Sequence, residues 1–258
     1  MSKLNHFFIS YSGNKRKECE TIYEEIQDLL DGDTIDTIIE PYCGTSAISY
    51  FISHNYPNKF KYILNDNNEH LMKMYEIFKD PEQLDLFIQQ LNEATMGLDK
   101  EKYIVAIKQK IEPHLAWFIK NKIYSIRQGL FPLNYKQKSF DKLKDTPIIS
   151  FLRTEDITTS NRDGIDVVEQ YKDDERVLII LDPPYLELTN DCYKNSNTNI
   201  YEYYFNNSIS GMKSKTLLIL NNMWIIRMLF KDQIKSQYNK MYQPNKRKVE
   251  HLIIKNFE

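Results

Sequence analysis

The sequence predicts an α/β fold with a doubly wound, mostly parallel sheet. Short β-branched segments alternate with helical segments over residues 34–80, and further short apolar segments follow residue 145. This alternation favours a parallel sheet with helices on both faces. A chain of 258 residues, 41% of them hydrophobic, is also long enough to bury such a core.

The predicted elements begin with a βαβα order. The segments TIDTII at 34–39 and KFKYILND at 59–66 have the β-branched pattern of short buried strands. Each precedes a helical segment, AISYFISHNY and NNEHLMKMYEIFKD respectively, and Pro57 ends the first of these helices. Further strands are predicted at 147–153, 176–182, 216–222 and 249–256.

Residues 81–145 interrupt this order with mostly long helical segments. We therefore predict one domain from residues 1–80 and 146–258, with residues 81–145 as an inserted helical subdomain. Residues 100–144 carry eleven basic and three acidic side chains, and residues 231–248 carry six basic and one acidic. The net charge of −2 hides this distribution. Such clusters suit phosphate groups, although a solvated helix face explains any single lysine.

The chain lacks the signals of a membrane, secreted or zinc-binding protein. Its longest apolar runs, such as VLIIL at 177–181, are too short to cross a bilayer, and its first residues lack the apolar core of a signal peptide. Cys19, Cys43 and Cys192 are far apart, with no paired spacing near histidines. We expect a protein of the cytoplasm, or of a nucleoid or viral DNA compartment, that binds no metal.

An acidic residue follows each of the first four predicted strands: Glu40, Asp66, Asp156 and Asp182. The carboxyl ends of parallel strands meet at one edge of a sheet, so we expect these acids to share a site there. Turn or capping chemistry explains each acid alone, but four together favour a bound ligand. The sequence lacks the GxGxxG pattern that cradles a pyrophosphate. A nucleoside without phosphates, such as S-adenosylmethionine, therefore suits the site.

The segment DPPY at 182–185 has the groups that methylation of an exocyclic amine requires. The lone pair of such an amine is delocalised into the base. A carboxylate from Asp182 and carbonyl oxygens from Pro183 and Pro184 can hold the amine hydrogens and favour a tetrahedral nitrogen. Tyr185 can stack on a base rotated out of its helix, which contributes about 1–3 kcal/mol. An ordinary turn is the alternative for this segment, and its position directly after a buried strand argues against that alternative.

Six segments, in this order, resemble the adenine-specific DNA methyltransferases of the DNA adenine methylase type with the alpha order of motifs. The resemblance covers nearly the whole chain and implies a Rossmann-like fold. It also implies direct methyl transfer from S-adenosylmethionine to adenine N6 in double-stranded DNA, without a covalent protein intermediate. The segments are YSGNK at 11–15, EPYCGTS at 40–46, LNDNNEHLMKMY at 64–75, TEDI at 154–157, DPPY at 182–185 and VEHLIIKNF at 249–257.

The resemblance also implies roles for single residues. Lys15 would lie near the methionine end of the cofactor, Asp66 would hold its ribose, and Asp156 would accept from its adenine amine. Asp182 to Tyr185 would hold the target adenine. Ser46 stands where many members have a second glycine, which predicts a tighter cofactor loop or weaker binding. The full cofactor-binding set is Tyr11, Ser12, Gly13, Lys15, Glu40, Pro41, Tyr42, Gly44, Thr45, Ser46, Asp66, Asn67, Asp156, Ile157 and Asp182.

Residues 81–145 fall where the family keeps its target-recognition domain, in agreement with their basic charge. Arginine suits the guanine edge and glutamine the adenine edge, so Arg127 and Gln128 are chemically suited to read bases. The segment at 121–139 resembles only faintly that of members that modify GATC, and we do not predict GATC. A cognate restriction endonuclease is a further partner to test, and the sequence indicates no oligomeric state. The predicted DNA-binding residues are Lys120, Lys122, Arg127, Gln128, Lys136 and Lys138.

Two other functions are compatible with the sequence. Related Pro-Pro-Tyr turns serve methyltransferases of RNA adenine or protein glutamine, although the motif order and Asp182 favour DNA adenine. A DNA-binding protein on an inactive methyltransferase scaffold is the second alternative. The intact DPPY segment argues against it, because a decaying enzyme would be expected to lose that segment early.

Overall fold

Seven strands form one sheet in the part of the chain that the structure describes. The structure is a computed structural model, and it describes residue 7 and residues 14–95, 112–123, 139–184, 199–206, 209–242 and 247–258. The strands are β1 (Thr37–Glu40), β2 (Lys61–Asn65), β3 (Asp156–Ser160), β4 (Val177–Leu181), β5 (Lys215–Asn221), β6 (Ile234–Tyr242) and β7 (Arg247–Lys255).

The strand order is β3-β2-β1-β4-β5-β7-β6. The first five strands in this order are parallel, and β7 runs antiparallel to both β5 and β6. The chain winds outwards from β1 to β3 on one side and from β4 onwards on the other. The order therefore reverses between β1 and β4, where open α/β sheets bind their ligands. The predicted doubly wound, mostly parallel sheet is confirmed.

Helices connect the strands and cover both faces of the sheet. Their ends follow local capping chemistry, because the Asn68 side chain accepts from the Leu71 N–H at 3.2 Å and the Asp163 side chain from the Ile165 N–H at 2.9 Å. The helices are α1 (Cys19–Glu24), α2 (Gln27–Asp31), α3 (Ala47–Asn55), α4 (Glu69–Lys79), α5 (Pro81–Thr95), α6 (Pro113–Ile123), α7 (Pro147–Thr154), α8 (Gly164–Tyr171), α9 (Asn199–Asn206) and α10 (Trp224–Leu229).

The central strand β4 explains how the two faces are held. All five of its residues are buried, because helices cover both sides of a parallel sheet. Leu178 and Ile180 join the core on one face, whereas Ile179 and Leu181 join the core on the other. Complete burial of each such side chain stabilises the fold by about 1.5–3 kcal/mol.

The strand predicted at 147–153 is wrong, because these residues form helix α7. Pro147 lies in its first turn, where the missing N–H costs nothing. Ile148, Ile149, Phe151 and Leu152 are the buried residues, a spacing that matches one face of a helix. The β-branched composition of the segment misled the prediction.

Two strands were not predicted, and both lie at the edges of the sheet. The residues of β3, DITTS, are mostly polar, and only Ile157 is buried. The strand β6 has the sequence IKSQYNKMY, whose charged residues suggested a solvated surface. Edge strands tolerate such residues because they have few neighbours to bury them.

The described helices of the predicted insertion share the main core of the protein. Leu84, Phe87 and Leu91 of α5 and Phe118 of α6 belong to the same buried cluster as Tyr75 of α4. The rings of Phe87 and Phe118 meet edge to face, with centroids 5.3 Å apart. In the described residues, these helices therefore share the core of the sheet domain, and the division of the chain at residues 81 and 145 stays a prediction. Residues 96–111 and 124–138 lie outside the described part.

Candidate active site

Three loops meet at the carboxyl edge of the sheet, on either side of the point where the strand order reverses. Residues 41–46 follow β1, Asp66 follows β2, and residues 182–184 follow β4. They contain most of the predicted site residues that the structure describes.

Asn65, the last residue of β2, joins the loops around this edge. Its side chain is fully buried and donates to the carbonyl oxygens of Pro41 at 2.9 Å and Arg162 at 3.0 Å. Its amide oxygen accepts from the Ser160 hydroxyl at 2.7 Å and from the Arg162 N–H at 2.9 Å. All four hydrogen-bonding positions of the amide are used, so this side chain holds the loops after β1 and β3 to β2. The sequence analysis did not single it out.

The loop after β1 turns through two left-handed residues. Gly44 has φ 49° and Ser46 has φ 46°, a region that glycine favours. Two hydrogen bonds support this turn: the buried Tyr75 hydroxyl donates to the Gly44 carbonyl at 2.9 Å and lies 2.9 Å from the Ser46 Oγ. The hydroxyl of Ser46 therefore provides a contact that a second glycine would lack.

Asp66 fixes the same loop from the neighbouring strand. Its Oδ2 accepts from the Gly44 N–H at 3.0 Å, and its Oδ1 accepts from the Asn68 N–H at 2.9 Å. Burial raises the pKa of this carboxyl above its usual range, while the two backbone N–H groups act in the opposite direction. Each oxygen keeps a second lone pair, so the carboxylate can still accept from a ligand.

The carboxylate of Asp182 is paired with Lys15. The Lys15 ammonium donates directly to Asp182 Oδ2, and the lysine side chain is buried whereas Asp182 is partly open to solvent. Glu40 lies behind this pair and accepts from the Ser49 N–H at 2.9 Å. Burial first, and then the charge of Asp182, raise the pKa of Glu40 from 4.5 to about 7. The charge of Lys15 therefore acts on both Asp182 and Glu40.

A second buried cluster lies beside Lys15. Glu18 binds the Lys240 ammonium at 2.6 Å and accepts from the Tyr238 hydroxyl at 3.0 Å. The Tyr238 hydroxyl lies 3.1 Å from His251 Nδ1. Burial opposes the charge of Glu18, but the hydrogen bond to His251 and the charges of Lys15 and Lys240 lower its pKa to about 2. The cluster joins the start of α1 to β6 and β7, and the sequence analysis missed it.

The position of Lys240 contradicts part of the predicted phosphate-binding charge. It lies in the basic stretch at 231–248, which suggested phosphate contacts. Its side chain is only 11% exposed and is paired with Glu18. Lys144, in the other basic stretch, is paired with Asp85 at 2.7 Å. These two lysines therefore have partners within the protein.

Two loops at this edge contact helix α9. The Tyr201 hydroxyl donates to the Pro184 carbonyl at 2.9 Å, and the Tyr204 hydroxyl donates to the Tyr42 hydroxyl at 3.1 Å. The Tyr42 ring lies so close to Gly164 that a Cβ added there would be 2.4 Å from the ring. Tyr42 is thus held between α8 and α9.

Asp156 and Ile157 are not brought together with the other predicted cofactor residues. Asp156 pairs with Lys61 at the beginning of β2, whereas Asn65 at its carboxyl end pairs with Ser160. Asp156 therefore begins β3 at the opposite edge, and its predicted position after a third strand is wrong. The error follows from the strand assignment at 147–153. Asp163 lies after the carboxyl end of β3 and caps α8, so it is the acidic residue that follows this strand at the ligand edge.

The structure places the remaining predicted site residues as follows. Pro41, Thr45 and Asn67 lie in the loops at the ligand edge, and Thr45 is buried. Lys120 and Lys122 lie on α6, with side chains outside the description. The other predicted residues lie outside the described residues, and their roles stay predictions: Tyr11, Ser12, Gly13, Tyr185, Arg127, Gln128, Lys136 and Lys138.

The edge suits a nucleoside and offers no metal site among the described residues. Asp66 provides a carboxylate for hydroxyl groups, and Gly44 lets the backbone approach a ligand closely. Lys15, a cation at this edge, is paired with Asp182. No group of histidine, cysteine or acidic side chains in the described ranges could hold a metal ion. No described helix is long and apolar enough to cross a membrane.

These features define the class of protein: a Rossmann-like, doubly wound α/β fold with its ligand edge between β1 and β4. Comparison with known families agrees, because residues 11–127 match the D12 class N6 adenine-specific DNA methyltransferase model. The resemblance recognised from the motifs is thereby confirmed, and this family implies S-adenosylmethionine as the cofactor. The matched region includes Lys15, Gly44 and Asp66 and ends before Asp182.

Two curated relatives are Type II methyltransferases. M.MjaIII of Methanocaldococcus jannaschii is 26% identical over 223 residues, which cover 77% of this chain and 74% of the relative. M.CviBI of Paramecium bursaria Chlorella virus NC1A is 22% identical, with 96% of this chain and 98% of the relative covered. Among solved structures, the rRNA methyltransferase aviRa from Streptomyces viridochromogenes aligns with a TM-score of 0.42 at 10% identity, covering 96% of this chain and 87% of that one.

Proposed function

We propose that the protein methylates adenine N6 in double-stranded DNA with S-adenosylmethionine as the methyl donor. The observation that carries the proposal is the Asp182 carboxylate, which lies at the point where the strand order reverses and is paired with Lys15. The family match and the two Type II relatives support DNA adenine as the substrate.

Asp182 acts on the exocyclic amine of the target adenine. Its carboxylate accepts a hydrogen bond from N6 and stabilises the positive charge that develops on the nitrogen. The ammonium of Lys15 donates to this carboxylate and orients it before the base arrives. The carbonyl oxygen of Pro183 is a second acceptor for the amine, and the Tyr201 hydroxyl donates to the carbonyl of Pro184. Asp182 holds the amine without forming a bond to the methyl group.

The cofactor is held by the loops after β1 and β2. S-adenosylmethionine, when bound, supplies an electrophilic methyl group on its sulfonium. Asp66 accepts hydrogen bonds from ribose hydroxyls through the lone pairs that Gly44 and Asn68 leave unused. The left-handed turn at Gly44 and Ser46 lets the backbone approach the nucleoside.

The DNA is held by basic residues of the segment 100–144 and enters with the target adenine rotated out of the duplex. Tyr185 stacks on this base, and Lys120, Lys122, Lys136 and Lys138 neutralise phosphates. Arg127 and Gln128 contact base edges in the recognition site.

The test is a methylation assay on purified components. Unmethylated double-stranded DNA is incubated with the protein and S-adenosylmethionine, digested to nucleosides and analysed by mass spectrometry. We expect N6-methyladenine in the DNA. If RNA or a protein is modified and the DNA is not, then the substrate is wrong. If the protein binds DNA but shows no heat of binding with S-adenosylmethionine, the inactive-scaffold alternative replaces the proposal.

Two substitutions separate the assigned roles. Asp182→Asn keeps the shape but removes the charge, so turnover falls by about 10²–10⁴-fold while the cofactor Kd changes little. Asp66→Ala removes the ribose acceptor, so the cofactor Kd rises about tenfold or more. Asp166→Asn, an exposed residue of α8, is the control and should alter neither quantity. If Asp182→Asn mainly weakens cofactor binding and Asp66→Ala mainly lowers turnover, these roles are refuted.

A further inference from the structure

Helix α9 contacts the loops after β1 and β4, which lie on either side of the point where the strand order reverses. Tyr201 donates to the Pro184 carbonyl in the loop after β4, at 2.9 Å. Tyr204 donates to the Tyr42 hydroxyl in the loop after β1, at 3.1 Å. These loops carry the proposed target-base site and part of the proposed cofactor site.

The two contacts come from one face of the helix. Tyr201 and Tyr204 are three residues apart, so their side chains are neighbours on the helix surface. Tyr203 lies between them in sequence, and its hydroxyl binds Glu169 of α8 instead. Ile200 and Tyr204 are buried in the core on this side of the sheet, so the face that carries the contacts is packed against the protein.

Each contact restrains a group that the proposed chemistry uses. The Tyr201 hydroxyl donates to the Pro184 carbonyl and thereby restrains the orientation of the turn at Pro184. Tyr42 is restrained on two sides, because its ring packs against Gly164 and its hydroxyl accepts from Tyr204. The Tyr204 hydroxyl is buried, and its hydrogen bond to Tyr42 satisfies a polar group that water does not reach.

We propose that α9 is a brace that sets the position of the catalytic turn relative to the cofactor loop, with Tyr201 and Tyr204 as its positioning residues. The inference rests on the proposed methyltransferase function. It adds a separate effect for each residue: Tyr201 affects turnover through Pro184, and Tyr204 affects cofactor affinity through Tyr42. Neither residue touches the reacting atoms.

Removal of single hydroxyl groups tests the brace. Tyr201→Phe should lower kcat about 3- to 10-fold and leave the cofactor Kd unchanged, because it removes the donor to the Pro184 carbonyl. Tyr204→Phe should raise the cofactor Kd about 3- to 10-fold. Tyr203→Phe is the matched control, since it removes a hydroxyl of the same helix that binds Glu169 of α8. It should change neither quantity.

A double-mutant cycle identifies the path of the Tyr204 effect. Tyr42→Phe removes the accepting hydroxyl, so Tyr42→Phe combined with Tyr204→Phe should weaken cofactor binding no more than either change alone. Additive effects would show that the two hydroxyls act separately and would overturn the coupling. Equal losses of kcat in the Tyr201→Phe and Tyr203→Phe proteins would overturn the role of Tyr201.

A third measurement separates failure of the brace from failure of the proposed function. Hydrogen exchange of the peptide that covers residues 41–46 needs neither cofactor nor DNA. Tyr204→Phe should accelerate exchange in this peptide and Tyr203→Phe should not. If this difference is present but the wild-type protein methylates no DNA, the brace stands and the function is wrong. If DNA is methylated but exchange is the same in both variants, the brace is wrong.

Discussion

The buried carboxylate of Glu18 gives a sharp prediction about acid stability. Glu18 is 4% exposed and is surrounded by Lys15, Lys240, Tyr238 and His251. Its pKa is lowered from 4.5 to about 2, because the hydrogen bond to His251 and the lysine charges outweigh the effect of burial. An acid whose folded-state pKa is depressed stabilises the fold above its unfolded pKa and loses that contribution as pH falls.

The magnitude follows from these two pKa values. A shift from 4.5 to about 2 corresponds to about 3 kcal/mol of stability at neutral pH. The loss begins near pH 4.5 and is complete only below the folded pKa. At pH 3 the same linkage relation gives a loss of about 2 kcal/mol from this group alone.

The assay is urea unfolding at pH 7 and at pH 3 for the wild-type protein and for Glu18→Gln. Glutamine cannot ionise, so the difference in unfolding free energy between the two proteins should shrink by about 2 kcal/mol between these pH values. Glu20→Gln, an exposed residue of the same helix, is the control and should show no such change. If the difference in unfolding free energy between the wild-type protein and Glu18→Gln is the same at both pH values, the reasoning is refuted. If Glu18→Gln does not fold, a direct NMR titration of the Glu18 carboxyl group in the wild-type protein should give a midpoint near 2, and a midpoint near 4.5 would refute it equally.

Two further predictions concern the loop after β1. Burial raises the pKa of Glu40 to about 7, so its ionisation destabilises the fold above pH 4.5. Glu40→Gln should therefore gain about 2.5 kcal/mol of stability relative to the wild type between pH 5 and pH 8.5 in urea unfolding, and a constant difference would contradict this. Gly164→Ala would place its Cβ 2.4 Å from the Tyr42 ring. We expect calorimetry to show weaker cofactor binding for this variant, with no loss for the control Gly211→Ala, which has open space around it.

Local sequence patterns predicted much of this fold because the central strands are unambiguous. In β4, the run VLIIL ends directly before Asp182, and no helix period competes with the strand interpretation. The segment PIISFLR is different, since its apolar residues satisfy a helical face as well as a strand. Without knowledge of what packs against it, composition favoured the wrong choice. That single error also moved Asp156 to the wrong edge of the sheet.

The contacts that hold the site together could not be predicted in the same way. Asn65, Glu18 and Tyr201 bind partners that are distant in sequence: Glu18 reaches Tyr238, and Tyr201 reaches Pro184. Their residue types occur equally on exposed surfaces, so only the sheet order brings each to its partner. The acids at strand ends were found because a general rule places the carboxyl ends of parallel strands together. No such rule exists for the contacts of Asn65, Glu18 and Tyr201, so these contacts could be identified only in the structure.

The charge arrangement at the crevice links stability to the proposed chemistry. Lys15 faces Asp182 through a direct ion pair, and its charge also acts on Glu18 and Glu40. Because Lys240 balances Glu18 from the other side, Lys15 does not have to neutralise that carboxylate alone. Loss of Lys240 would leave Glu18 to compete with Asp182 for the same ammonium. The buried cluster beside the site therefore keeps the Lys15 charge directed at the carboxylate that the proposed reaction uses.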